Sequence, residues 1–139
     1  EDAFQCSGVR NYIPFALQSI REMINQVGPG LEMNGDDVAT RGMIIRHLIL
    51  PGHMENSIRV LELIRSHFSL DIPLSLMSQY TPTALVKDDP FLGRRITRRE
   101  YDEVVNRALD MGFEQIFVQE VDDRDLCPDF NVPNPFQRT

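Results

Sequence analysis

The sequence predicts an α/β fold whose strands run parallel. Strand-length apolar runs alternate with segments of helical periodicity, in the order helix, strand, helix, strand, helix, strand. Such alternation means parallel strands joined by right-handed crossovers. The first run, residues 43–50, is almost continuously apolar, broken by Arg46 and His47, and it stops on Pro51-Gly52. Its nearly unbroken, β-branched character fits a strand covered on both sides, as in parallel sheets. The 139 residues suffice for one domain with a core, and 42% apolar with 25% charged residues is an ordinary globular balance.

The elements follow in order. Over residues 11–27, Ile13, Leu17, Ile20, Ile24 and Val27 recur at helical spacing, with Arg21, Glu22 and Asn25 on other faces. Pro14 falls in the first turn, where a missing donor costs little, and Gly28-Pro29-Gly30 stops the helix. Leu31-Glu32-Met33-Asn34 reads as a small extra strand and Gly35-Asp36-Asp37 as a turn. After the 43–50 strand, His53 or Asn56 caps a helix that runs to about Phe68. Met54, Ile58, Leu61, Ile64 and Phe68 form its buried stripe, and Glu55 can pair with Arg59 on the wet side.

Ile72, Leu74 and Leu76 alternate with Pro73 and Ser75 and open the second strand. Pro73 belongs at its start, where no ladder bond is lost. Residues 83–96 are irregular and charged, a loop long enough to be functional. Thr97-Arg98-Arg99-Glu100 is a capping box in which hydroxyl and carboxylate each serve the other's backbone N–H; the Thr97 cap is worth about 1 kcal/mol. Tyr101, Val104, Val105, Ala108 and Leu109 form the buried face of that helix, and Gly112 ends it. Gln115-Ile116-Phe117-Val118-Gln119 is the third strand. From Val121 onward, Pro128, Pro133 and Pro135 predict a surface segment without regular structure.

Charge and composition exclude several classes. A net charge of −7 argues against a nucleic-acid module. Arg94-Arg95 with Arg98-Arg99 is the sole basic cluster; Glu100 and Asp102 dilute it, so it is a solvated face or, alternatively, a phosphate contact. No apolar stretch approaches the ~20 residues that a membrane-spanning helix needs. Glu1-Asp2-Ala3-Phe4 opens no signal peptide. The chain starts without Met, which suggests a fragment, a processed product or part of something longer. Cys6 and Cys127 read as free thiols of a cytoplasmic protein, with a disulfide between them as the alternative.

In folds of this class, ligands bind at the carboxyl ends of the strands. That rule selects Leu50-Pro51-Gly52-His53, Ser78-Gln79-Tyr80-Thr81 and Gln119-Glu120, together with inward-facing strand side chains. Arg46 is then a candidate, because a guanidinium within an apolar strand needs a partner if it is buried. A ligand carboxylate is one such partner and a buried Asp or Glu is the other. His47 points to the opposite face and packs under a helix, or serves a metal. His53 sits at a helix start, and His67 near a helix end favours the dipole when protonated. Gln79 and Tyr80 offer an amide and an aromatic face that suit a purine or a ribose; the alternative for Tyr80 is packing against Pro82. Asp36 with Asp37, and Asp122 with Asp123 and Asp125, are acidic turn clusters that are solvated or hold a metal. There is no Gly-x-Ser-x-Gly elbow, and Gly28-x-Gly30 is no phosphate loop because no strand precedes it.

Three segments carry a resemblance: Ile45-Arg46-His47-Leu48-Ile49-Leu50-Pro51-Gly52, Leu76-Met77-Ser78-Gln79-Tyr80-Thr81-Pro82 and Arg94-Arg95-Ile96-Thr97-Arg98-Arg99-Glu100-Tyr101. With Phe117-Val118-Gln119-Glu120, Pro128-Asp129-Phe130 and the opening Tyr12 helix with Met23 and Gln26-Val27-Gly28, they resemble radical S-adenosylmethionine proteins similar to the pyruvate formate-lyase activating enzyme. The resemblance spans essentially residues 1–139. It implies the C-terminal part of an incomplete, TIM-like (β/α) barrel, with the upstream half missing. In that family a Cys-x-x-x-Cys-x-x-Cys loop of the first half holds a 4Fe-4S cluster. Electron transfer to bound S-adenosylmethionine then yields a 5′-deoxyadenosyl radical that abstracts hydrogen, from a glycyl-radical enzyme in the activases.

By resemblance, Arg46 matches a strand arginine on the cofactor side. Tyr80 falls where the activating enzyme has a strand-end histidine, and stacking or ribose contact is its implied role, beside Gln79. The cysteine loop would lie upstream of Glu1, so this chain alone is expected to bind no cluster, to turn nothing over, and to need the upstream half of the polypeptide or to self-associate. Two rival readings stand beside this one. A fragment of another barrel lyase or hydrolase requires a lysine or carboxylate set at the strand ends, where Glu120 is the candidate and Lys87 lies in a loop. A self-sufficient α/β module binding a protein or nucleotide requires a core closed without upstream sequence.

Overall fold

The computed structural model describes residues 8–121. The readings on Cys6, Cys127, the Asp122-Asp123-Asp125 cluster, Pro128-Asp129-Phe130 and the prolines of the C-terminal segment lie outside them.

Helix α1 covers Tyr12–Val27 and packs Leu17, Ile20 and Ile24 inward, as its periodicity requires. Strands β1 (Leu31–Met33) and β2 (Ala39–Gly42) form an antiparallel hairpin. Asn34 organises its turn, its Oδ1 accepting from the backbone N–H of Asp36 and Val38 at 3.0 and 2.9 Å. The sequence announces β1 but not β2, whose Ala39-Thr40-Arg41 stretch is exposed and carries no apolar alternation.

The main sheet is parallel, in the order β3 (Ile45–Leu48), β4 (Leu74–Met77), β5 (Ile116–Phe117). Strand order follows chain order, so the sheet grows in one direction. Right-handed crossovers in one direction put helices α2 (Met54–His67) and α3 (Arg98–Asp110) on one face. There Ile58, Leu61 and Ile64 of α2 meet Tyr101, Val104 and Ala108 of α3 over Ile49, Leu74 and Leu76. Ile49, Leu61, Leu74, Leu76 and Val104 are wholly buried. The molecule is thus a mixed α/β structure with a small parallel sheet and, among the described residues, three helices.

The strands are shorter than their apolar runs. Residues 43–50 contribute a strand only over Ile45–Leu48, and the third strand shrinks to Ile116–Phe117. The run at 43–50 predicts cover on both sides, yet Arg46 is exposed and Leu48 only half-buried, because helices cover one side alone. Leu109, expected on the buried face of α3, is 56% exposed. At the start of α2, His53 occupies the cap position without a side-chain cap bond, and Asn56 lies inside the helix. The Glu55–Arg59 pair does not form among the described residues.

The capping box at Thr97 is present in both directions. The helix it opens ends in a Schellman motif: Gly112, at φ 89°, donates to Leu109, and Phe113 to Ala108. A side chain at Gly112 would meet only Leu70 at 3.6 Å, so the positive φ is what asks for glycine there.

Candidate functional site at the carboxyl rim

Three strand ends and the 83–97 loop converge at the carboxyl rim of the sheet. Glu100 is the hub. Its side chain is 10% exposed and grips the Arg94 guanidinium through two bonds of 2.8 and 2.7 Å. Oε1 also accepts from the backbone N–H of Gly52 at 2.8 Å, and Oε2 accepts from the Thr97 N–H and hydroxyl at 2.9 and 2.8 Å. One carboxylate therefore ties the turn after β3 to the end of the loop and the start of α3. The Arg94 bonds, then the backbone and hydroxyl donors, hold its carboxyl far below the usual carboxylate range despite burial. The basic cluster is split accordingly: Arg94 belongs to this hub, and Arg98 pairs with Asp102 at 3.5 Å on the surface.

The loop is fixed at further points. Asp89 Oδ1 accepts from the backbone N–H of Leu92 and Phe91 at 2.7 and 2.9 Å, which lowers its pKa. The Tyr80 hydroxyl donates to the Leu92 carbonyl at 2.7 Å. The Phe91 ring lies edge-on to His53, centroids 6.2 Å apart, and against Gly52, where φ is 74° and any Cβ would collide with that ring. Tyr80 thus anchors the loop, which the alternative of packing on Pro82 did not foresee.

Between β4 and β5 the direct ladder ends at Ser75 and Phe117. Beyond it, side chains replace backbone pairing. The Tyr101 hydroxyl donates to the Leu76 carbonyl at 2.8 Å and accepts from the Gln119 N–H at 2.7 Å. Gln119 Oε1 accepts from the Ser78 N–H at 3.2 Å, and the Ser78 hydroxyl donates to the Glu120 carbonyl at 3.1 Å. The Thr81 hydroxyl, at the same end of β4, is buried with no hydrogen-bond partner among the described residues.

The second candidate region is the sheet face away from the helices. Arg46 lies in register with Ser75, and Leu48 with Met77. Ser75 in turn lies opposite Phe117, which is 47% exposed. The Arg46 guanidinium is exposed and makes no hydrogen bond or ion pair among the described residues, so the burial cost anticipated for it does not arise. Gln79 is exposed two residues beyond Met77. Arg46 thus lies on the side away from the helices and Gln79 is exposed past the end of β4, whereas the Tyr80 hydroxyl is already engaged with the loop.

His47 takes the opposite face, as the alternation requires. Its Nε2 shares a 2.9 Å hydrogen bond with Ser57 Oγ of α2. Burial lowers its pKa and keeps it neutral in the fold. The unfolded chain binds the proton more readily, so stability is complete above the ordinary histidine range and declines as pH falls through it. His47→Gln should flatten that limb of a urea-midpoint against pH curve between pH 7 and 5.

Among the described residues, no group of three or more His, Cys, Asp or Glu side chains is placed to hold a metal ion. Nor is any helix long and apolar enough to cross a membrane. No protein-family model, curated protein or solved structure matches the chain.

Proposed function

We propose that the chain is the C-terminal part of a radical S-adenosylmethionine enzyme resembling the pyruvate formate-lyase activating enzyme, and that it contributes the cofactor-holding side of a partial barrel. One observation carries the reading: a sheet face on which, among the described residues, Arg46 is exposed and makes no hydrogen bond or ion pair, with Phe117 exposed beside it. A sheet that grows in one direction with helices on one face only is the way a barrel wall is built, and the bare face is the side that turns inward. The rival self-sufficient module would need that face covered; among the described residues Arg46 and Phe117 are exposed on it.

The residues present fit a nucleoside that carries an amino-acid carboxylate. Arg46 would take the carboxylate through charge-assisted bonds, and Gln79 with the Tyr80 ring would border the nucleoside; the orphaned Thr81 hydroxyl adds a polar group at that end. S-Adenosylmethionine supplies hydrogen-abstraction chemistry when reduced. In this reading the 4Fe-4S cluster and electron delivery would belong to an upstream half of the polypeptide. A glycyl-radical enzyme or another protein is the candidate substrate, in the cytoplasm and without nucleic acid.

The test is a titration of the ¹⁵N-labelled chain with S-adenosylmethionine, followed by amide and arginine side-chain shifts. Shifts should appear at Arg46, Ser75, Met77 and Gln79 and spare α2. Arg46→Ala should weaken binding by about 1.5–3 kcal/mol, the value of a hydrogen bond to a charged group. Shifts confined to the helical side, or equal affinity of the two proteins, would overturn the assignment.

A further inference from the structure

We propose that Thr97 is a phosphoacceptor for a basophilic serine/threonine protein kinase, and that its modification transfers Arg94 from Glu100 to the new phosphate. The inference is independent of the cofactor reading and rests on the basic cluster and the capping box, which that reading leaves unused.

Arg94 and Arg95 stand three and two residues before Thr97, with Ile96 between. Paired arginines upstream of a hydroxyl are what an acidic substrate groove selects, since guanidinium groups pair with carboxylates in a forked geometry. Thr97 is exposed, and its backbone is extended at φ −85°, ψ 155°, one residue before α3 begins. Arg98 and Arg99 follow and are exposed too. The step is an ordinary phosphoryl transfer. The bond from the γ-phosphorus of ATP to its bridging oxygen breaks as the bond from phosphorus to Thr97 Oγ1 forms. The hydroxyl proton passes to the kinase's carboxylate base, and ADP leaves.

The consequence follows from the neighbours of that oxygen. Thr97 Oγ1 donates to Glu100 Oε2 at 2.8 Å and accepts from the Glu100 N–H at 3.3 Å. A phosphate there keeps the favourable place at a helix N-terminus, but it puts up to two negative charges beside a buried carboxylate. Arg94 already shares Glu100 Oε2 with the Thr97 hydroxyl, which makes it a cation in reach. As it turns to the phosphate, Glu100 is left without its main counter-ion and its hold on Gly52 weakens. The modification would thereby loosen the turn after β3 and the Phe91 ring that rests on it.

The test treats the full chain with ATP and the catalytic subunit of a basophilic kinase. Mass spectrometry should find one phosphoryl group at Thr97, absent from Thr97→Ala, retained in Thr97→Ser, and at least tenfold slower in Arg95→Ala. Hydrogen exchange of the Gly52 amide should quicken at least tenfold in the modified protein. Incorporation only into a synthetic peptide of residues 91–103, with none into the intact chain, would overturn the site. A modified protein whose Gly52 amide exchanges at the original rate would overturn the transfer of Arg94.

Discussion

Glu100→Ala is expected to lower the stability of the fold by about 3 kcal/mol. Breaking a buried, hydrogen-bonded ion pair costs roughly 3–5 kcal/mol when the remaining charge stays buried. Here the side chain of Arg94 is 40% exposed, so water compensates it and the lower end of that range applies. The Gly52 and Thr97 N–H groups also lose their acceptor, while the rim can relax to admit water. Glu100→Gln keeps an acceptor oxygen but not the charge, and should cost less, about 1.5–2 kcal/mol. The check is a urea titration in which the midpoint falls at unchanged slope, which marks a change of stability and not of unfolded-state compactness. The same residue dictates an acid limb. Its folded-state pKa is depressed, so its contribution is complete above the unfolded carboxylate value of 4.5 and is lost as pH falls toward the folded value. This window lies below that of His47, so a stability profile should show two separate descents, the lower one absent from Glu100→Gln.

That hub was half legible beforehand. Thr97 and Glu100 declare a capping box through spacing alone, because the box is a local device closed within one turn. Nothing local says that the same carboxylate reaches Gly52, 48 residues earlier, or that Arg94 joins it. The parallel order of the strands was readable because alternation of apolar runs with helical stripes leaves few topologies. The lengths of the strands were not, since an apolar residue beyond the last ladder bond looks the same in a sequence as one within it. Arg46 illustrates both limits. Its place in a strand opposite His47 follows from period-2 alternation, and His47 does pack under α2. Whether its side of the sheet is covered depends on what else packs there, which periodicity does not encode. Gln79 and Tyr80 were correctly brought to the strand end, but the bond from Tyr80 to the Leu92 carbonyl depends on the path of a loop without pattern.

The second large effect concerns Tyr101, which sequence reading assigned to the core for its ring and not for its hydroxyl. The ring is 3% exposed, and the hydroxyl bridges the Leu76 carbonyl and the Gln119 N–H, where the two strands have parted. Burial raises the pKa of this phenol, so it stays a neutral donor through the physiological range. Tyr101→Phe preserves the packing and deletes one donor and one acceptor together, leaving two backbone groups unpaired at the rim. Each buried unsatisfied group costs about 1–3 kcal/mol, and partial access of water at the rim brings the expected total to about 2 kcal/mol. The loss should be local as well as global. Gln119 anchors Ser78 through its side chain, so exchange of the Gln119 and Ser78 amides should quicken together while those of α2 keep pace with global unfolding. If instead the phenylalanine protein matches the parent within about 0.5 kcal/mol, then β4 and β5 close directly once the hydroxyl is gone, and the wedge is dispensable. A parted strand pair held by one phenol would make this end of the sheet the part most open to adjustment by a ligand, because its pairing rests on side chains and not on a ladder.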